Sequence, residues 1–191
     1  MATAPRIGGG VEGGGACGVT SRGGGHIREW GGGGARSGGA MEGSYEACAE
    51  AAGWVRARVR RPPAVGLVCG SGLGALAQEL QEPQSFDYGD IPHFPRSTVQ
   101  GHAGRLVVGQ LGGAPCAVLQ GRFHLYEGYS PAQVALPVRV LALLGAHTLV
   151  LTNAAGALRG ALRPGRLLVL RDHIDLPGLA GRSPLAGAND E

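Results

Sequence analysis

The chain has 191 residues and a formal net charge of +3, and all 17 of its basic residues are arginine. So small a charge, scattered along the chain, argues against a nucleic-acid-binding surface. No run of about 18 apolar residues is present and no secretory signal is recognisable, so the sequence predicts a cytoplasmic protein that does not enter a membrane.

Residues 1–40 differ in composition from the rest of the chain. They hold nearly half of the 37 glycines and few periodic apolar side chains. Such a segment buries too little apolar surface to offset the entropy of ordering, so we expect a disordered Gly-rich extension. An RNA-binding tail is the alternative, but arginines such as Arg22, Arg28 and Arg36 are sparse, and Trp30 is the one aromatic residue of the segment.

Organised sequence begins with a helix and a buried strand. Ser44 is a plausible N-cap, and apolar residues follow at helical spacing until Pro62 and Pro63. Residues 64–69 are an apolar run typical of a buried strand. A glycine-rich turn then leads into a helical stretch that we expect to extend through Leu80.

The next residues predict a loop and a hairpin. Residues 81–104 are polar and rich in turn formers, and we interpret them as a long ordered loop. Residues 105–111 and 115–120 are apolar runs separated by Gly112 and Gly113, which favour a β-hairpin.

A helix and two further strands complete the pattern. Ser130 and Gln133 fit a capping box, Pro131 suits the first helical position, and the apolar run ends at Gly145. Residues 147–152 and 167–170 are predicted strands. Strands that alternate with helices predict an α/β fold, a twisted mixed sheet flanked by helices.

Three of the predicted strands end in loops that contain potential anion ligands. Ser71 follows the first strand, Arg122 and His124 follow the hairpin, and residues 153–156 follow the strand at 147–152. Ligands of open α/β sheets bind beyond the carboxyl ends of the strands, so these loops are expected to converge on one anion. Arginine holds phosphate in a bidentate manner, and histidine donates a further hydrogen bond. A turn whose side chains only pack and contact solvent is the structural alternative for each loop.

A dinucleotide site is a second functional alternative. Gly70, Gly72 and Ala75 match the GxGxxG/A pattern, which on its own is a weak signal. That site needs a strand ending in an acid about 20 residues further on. Asp87 and Asp90 lie at that distance, but the polar residues before them do not predict a strand. A nucleotide-binding oxidoreductase is therefore the weaker functional hypothesis.

Other chemistry-bearing residues point to no separate site. The cysteines are widely spaced, without a CxxC pair, and predict buried thiols, so no metal site is expected. His102 lies in the segment GHAG, where an exposed loop histidine and a loop ligand are both open. A GxSxG nucleophile elbow is absent from the sequence.

Taken together, the motifs resemble the trimeric purine nucleoside phosphorylases. The matching stretches are VCGSGLG at 68–74, FDYGDIPHFPRSTV at 86–99, GHAG at 101–104, QGRFHLYEGY at 120–129, TNAAG at 152–156 and RDHIDLP at 171–177. Methylthioadenosine phosphorylases share that fold but differ in the GRFHLYEGY stretch. The resemblance implies that residues 41–191 are the N-terminal part of a nucleoside phosphorylase domain.

The resemblance also implies a reaction and roles for individual residues. Phosphate attacks the anomeric carbon of a purine (deoxy)ribonucleoside and releases the base and a pentose 1-phosphate, without a cofactor and in a homotrimer. By motif, Ser71, Arg122, His124 and the backbone at Ala154 bind phosphate, His102 closes over it, and Tyr126 contacts the ribose. No residue of these 191 is assigned a catalytic role with certainty.

The sequence also departs from the family pattern. The family's purine-binding residues correspond to positions beyond Glu191, and Arg166 stands where an acid is usual. We therefore expect little or no turnover from these 191 residues alone. The alternative is a noncatalytic form that binds phosphate or associates with full-length subunits.

Overall fold

The computed structural model describes residues 43–70, 72–96 and 104–184. The predicted extension at 1–40, Ser71 and His102 lie outside these residues. Helices and strands follow in chain order: α1 (Tyr45–Arg56), β1 (Val65–Cys69), β2 (Gln81–Asp87), β3 (Arg105–Leu111), β4 (Ala114–Gln120), α2 (Pro131–Leu144), β5 (Thr148–Leu151) and α3 (Leu176–Leu179). Short 3₁₀ helices lie at Gly74–Glu79, Tyr88–Asp90 and Leu125–Glu127.

The strands form one mixed sheet in the order β2-β3-β4-β1-β5. Strand β1 pairs in parallel with β4 and β5, whereas β3 is antiparallel to both β2 and β4. Four strands therefore run in one direction and β3 runs in the other. This arrangement confirms the predicted α/β fold with a mixed sheet.

The caps of the two long helices follow from the sequence. The Ser44 hydroxyl accepts a hydrogen bond from Ala47 N at the start of α1, and Ser130 and Gln133 form a capping box at the start of α2. Helix α2 ends at Gly145, whose φ of 112° lies in the left-handed region that glycine favours. Pro137 lies inside α2 without ending it.

Apolar side chains pack on both faces of β1, β3 and β4. Alternate residues of β4 point in opposite directions, so Ala117 and Leu119 join one core while Cys116 and Val118 join the other. The first core is built against α1 and α2, and the second against the 3₁₀ helix at Gly74–Glu79. No helix in the described ranges is long and apolar enough to span a membrane.

Two local expectations are wrong around β2. Residues 81–87 are a strand rather than part of a loop, and a 3₁₀ turn follows at Tyr88–Asp90. Polar side chains are accommodated because β2 is a largely exposed edge strand, whose ladder partner in the described sheet is β3. The helical stretch before it is also shorter than expected, since it is a 3₁₀ helix that ends at Glu79.

The predicted strand at 167–170 does not form. Its four apolar residues lie in an irregular, exposed segment. A strand requires a ladder partner, and the sheet in the described part of the chain ends at β5. An apolar run correctly predicted the buried strand β1. The apolar run at 167–170 did not predict a strand correctly, because no strand in the described part of the chain pairs with it.

Candidate functional site

The carboxyl ends of β4, β1 and β5 lie side by side at one edge of the sheet. The parallel registers place Gln120 beside Cys69 and Leu151 beside Val68. The loops that begin at Gly70, Gly121 and Thr152 therefore leave the sheet from neighbouring positions. Convergence of these loop origins is the arrangement that an anion site at this edge requires.

The loops after β1 and β5 are joined by the Thr152 hydroxyl. Thr152 Oγ1 accepts a hydrogen bond from Gly70 N at 2.9 Å and donates one to Val68 O at 3.1 Å. A Cβ on residue 70 would lie 2.4 Å from Thr152 O and 2.9 Å from the Asn153 Cα. Only glycine permits this approach of the two backbones.

The loops after β4 and β1 are joined by Gln120. Its Nε2 donates a 2.7 Å hydrogen bond to Gly74 O, at the far end of the glycine-rich turn. Thr152 and Gln120 thus hold the turn from opposite sides. Sequence reasoning did not identify either residue, and the only available signal was the position of each one at the end of a predicted strand.

Aromatic side chains hold the segment 121–129 in place. Tyr88 Oη donates a 2.9 Å hydrogen bond to Gly121 O. Phe123 is buried, with ring centroids 5.3 Å from Tyr88 and 5.6 Å from Tyr129. These contacts fix the backbone on both sides of Arg122, whose Nε atom is buried.

His124 and Tyr126 form the outer part of the same segment. Their rings stack at 4.6 Å with an interplanar angle of 12°. Glu127 Oε1 accepts a 2.8 Å hydrogen bond from His124 N, which orients this turn. Tyr126 is 77 % exposed, so its ring and hydroxyl are accessible to a ligand.

The structure locates four of the six predicted ligand residues. Arg122 and His124 are half-buried after β4, Tyr126 is exposed beside them, and Ala154 is exposed in the loop after β5. Ser71 and His102 fall in the gaps between described residues. The roles of all six remain predictions.

Two buried side chains beside this edge, a thiol and a phenol, stay protonated at neutral pH. Burial raises the pKa of the Cys69 thiol at the end of β1. Burial also raises the pKa of Tyr88, and a negative charge on Cys69, once that thiol is deprotonated, adds to the effect. Neither group is therefore a nucleophile near pH 7, because the thiolate or phenolate is the reactive form. Within the described residues, no group of three His, Cys, Asp or Glu side chains is placed to hold a metal ion.

The geometry does not support the dinucleotide alternative. Strand β2 does deliver Asp87, but β3 and β4 separate it from β1, whereas a dinucleotide site uses a strand adjacent to the glycine-rich turn. The Asp87 carboxylate is instead paired with Arg105, with an Nε to Oδ1 distance of 2.9 Å.

Comparison with known proteins identifies the family. The model of the family described as "Phosphorylase superfamily" matches residues 64–191, which include all three strand-end loops. The chain belongs to the phosphorylase superfamily.

Two curated relatives of this superfamily member illustrate the match. It is 55 % identical to the purine nucleoside phosphorylase of Rattus norvegicus over 148 residues, which are 78 % of this chain and 51 % of the relative. It is 49 % identical to purine nucleoside phosphorylase 1 of Geobacillus stearothermophilus over 141 residues, 74 % of this chain and 50 % of that one. These matches confirm the resemblance inferred from the motifs.

A solved structure shows the same fold. Isoform 2 of the Schistosoma mansoni purine nucleoside phosphorylase, crystallised with cytosine and ribose-1-phosphate, superimposes with a TM-score of 0.70 at 42 % identity. The match covers 77 % of this chain and 52 % of that one. The chain thus spans about half the length of the relatives it matches.

Proposed function

We propose that this chain contributes the phosphate- and ribose-binding part of a purine nucleoside phosphorylase. The observation that carries the proposal is the meeting of three loop origins at one sheet edge, where Thr152 and Gln120 hydrogen-bond across them. Relatives with this name and a structure crystallised with ribose-1-phosphate support the same interpretation.

In the proposed reaction, a phosphate oxygen forms a bond to the anomeric carbon of a purine nucleoside. The glycosidic C–N bond breaks and its electron pair goes to the purine, which takes up the proton that hydrogen phosphate gives up, and pentose 1-phosphate forms. The transition state resembles an oxocarbenium ion, so a phosphate dianion held beneath the ring stabilises the developing positive charge. Binding residues at this edge act by placing that dianion.

We assign phosphate binding to the Arg122 guanidinium and His124, with Ser71, His102 and the Ala154 backbone N–H completing the set. Arginine supplies a planar pair of donors that matches two phosphate oxygens. Exposed Tyr126 is assigned to the ribose. Inorganic phosphate is a co-substrate in this proposal, and no cofactor is required.

The test is calorimetric titration of inorganic phosphate into the chain and into the variant Arg122→Gln. Loss of a bidentate charged contact is expected to weaken binding about tenfold or more. Arg163→Gln, which removes an exposed arginine that is not one of the predicted phosphate ligands, is the matched control and should bind as the parent does. Equal phosphate affinity in the Arg122 variant and the parent would contradict the assignment.

Turnover is measured separately, as release of hypoxanthine from inosine and phosphate. Low turnover of the 191 residues alone stays a prediction. Homotrimer formation and a cytoplasmic location are likewise part of the proposal.

Exposed apolar side chains favour a second role, association with another phosphorylase subunit. Leu151 of β5 is 60 % exposed, and Leu167 and Val169 are each 94 % exposed. An exposed apolar edge strand is a surface that pairs readily with another polypeptide. Size-exclusion chromatography with and without a full-length relative tests this role, and elution as an unchanged monomer in both cases would exclude it.

A further inference from the structure

A cavity of about 250 Å³ lies at the sheet edge opposite the three strand-end loops. Its lining comes from the segment before β1 and from the adjacent ends of β2, β3 and β4: Arg60, Arg61, Glu82, Gln84, Val108, Gly109, Gln110 and Pro115. Strand β4 has seven residues and begins beside this cavity, whereas Arg122 follows its other end. At about 3.3 Å per residue, the two sites are therefore on the order of 20 Å apart.

Hydrogen bonds from Gln84 hold the arginine-bearing wall of the cavity in place. Gln84 Oε1 accepts a 2.8 Å hydrogen bond from Arg60 N, and its Nε2 donates a 2.9 Å hydrogen bond to Arg58 O. Both polar ends of this side chain are therefore used to tether the segment 58–60 to β2. Glu82 lines the cavity from the irregular start of β2, where the register shifts between Gln81 and Gln84 and Glu82 has a φ of 49°.

The arginines near the cavity divide into two groups. The Arg56 and Arg58 guanidinium groups donate hydrogen bonds to backbone carbonyls, and Arg58 also lies 3.8 Å from the centre of the Trp54 ring. Arg60 and Arg61 are exposed, and neither forms an ion pair with a carboxylate of the described residues. Two charged groups are thus available to a ligand.

The composition of the lining selects a class of ligand. Two guanidinium groups and one carboxylate, Glu82, leave a net positive charge, and guanidinium groups suit the oxygens of a phosphoryl group. Val108 and Pro115 add apolar surface for the body of a ligand, and Gln110 adds an amide. Since typical small-molecule sites enclose about 300–1,000 Å³, this cavity suits a ligand smaller than a nucleotide.

We propose that this cavity binds a small phosphate monoester of about the size of a pentose phosphate, with its phosphoryl group on Arg60 and Arg61. The site is separate from the proposed catalytic edge and does not depend on the function assigned there. Inorganic phosphate shares the phosphoryl chemistry but has no body to contact Val108 and Pro115.

The experiment is a titration of ribose 5-phosphate into the ¹⁵N-labelled chain, followed by NMR, with inorganic phosphate titrated in parallel. Reporters in the cavity are the backbone amides of Gly109 and Gln110 and the side-chain amide of Gln84. The Gly121 amide reports on the other edge of the sheet. If the ligand binds in the cavity, the resonances of these cavity reporters should shift. The ribose 5-phosphate concentration needed for the shift should be lower than the inorganic phosphate concentration.

Variants separate the two edges. The double variant Arg60→Gln/Arg61→Gln should weaken ribose 5-phosphate binding at the cavity reporters by about tenfold or more. The charge-matched control Arg159→Gln/Arg163→Gln should leave it unchanged, because both residues are exposed and outside the cavity lining. Arg122→Gln should also leave the cavity reporters unchanged, which keeps this test independent of the proposed function.

Glu82→Gln should change the affinity for ribose 5-phosphate in the opposite direction from the arginine variants. Removing the only carboxylate of the lining should tighten binding severalfold, and this result does not depend on how the arginine variants fold. Shifts confined to the Gly121 amide, or equal affinity in the Arg60/Arg61 variant and its control, would overturn the proposal. Binding of inorganic phosphate as tight as that of ribose 5-phosphate would overturn the assignment of a monoester.

Discussion

The Thr152 hydroxyl connects two of the three loops of the proposed phosphate site, and its removal is the most direct test of that arrangement. Thr152→Val keeps the β-branched shape and removes only the hydroxyl. The hydrogen bonds from Gly70 N at 2.9 Å and to Val68 O at 3.1 Å are then lost. No large cavity is created, so the effect reports on hydrogen bonding.

The magnitude follows from counting which groups are left without a partner. Val68 O still accepts a 3.0 Å hydrogen bond from Thr152 N, so it stays satisfied. Gly70 N is buried and loses its acceptor. An unsatisfied buried donor costs about 1–3 kcal/mol, and since Thr152 is only half-buried we expect about 1–2 kcal/mol.

A thermal unfolding scan measures this cost. For a chain of this length about 2–4 °C of melting temperature correspond to 1 kcal/mol, which gives a decrease of about 2–8 °C. Thr152→Ser is the control, because serine keeps the hydroxyl and should retain most of the stability. Phosphate affinity should fall in Thr152→Val although no predicted phosphate ligand is altered. Equal melting temperatures for the parent and Thr152→Val, or equal losses in the serine and valine variants, would refute the reasoning.

Two further predictions concern Tyr88. Tyr88→Phe removes the buried hydrogen bond to Gly121 O and should lower the free energy of unfolding by about 1–3 kcal/mol, measured by urea titration. Tyr126→Phe, at an exposed position, should leave the free energy of unfolding unchanged. Equal losses of that free energy in the two variants would contradict this account. The raised pKa values of Cys69 and Tyr88 mean that the folded chain keeps protons that the unfolded chain loses from about pH 9 upward, the ordinary value of a thiol. Stability is therefore expected to fall as pH rises above 9, and a constant urea midpoint from pH 7 to 10 would exclude this.

Several elements were predictable because their causes are local in the chain. Ser44 begins α1, and Ser130, Gln133 and Gly145 bound α2, since capping is decided by residues within one turn of the helix end. The hairpin of β3 and β4 needs only two apolar runs and a glycine pair between them. The strand-end positions of Arg122 and His124 followed from the same local patterns.

Two segments were predicted wrongly because their structure depends on whether a pairing strand lies beside them. Strand β2 is polar and forms because β3 offers it a ladder at an exposed edge. Residues 167–170 have the apolar pattern of a strand, but in the described part of the chain no strand pairs with them. The apolar pattern of a segment indicates which side chains it can bury. Whether the segment forms a strand depends on which other strand lies beside it.

The sequence by itself determined the N-cap of α1, both ends of α2, the hairpin of β3 and β4, and the positions of Arg122 and His124 after a strand. Only the tertiary structure decided that Thr152 and Gln120 bridge the strand-end loops and that Arg60, Arg61 and Glu82 line one cavity at the opposite edge. Thr152 contacts a residue 82 positions away, and Glu82 is remote from Arg60 in the chain. Contacts over such separations arise from sheet order and register, which are properties of the packed chain and leave no periodic signal in any one segment.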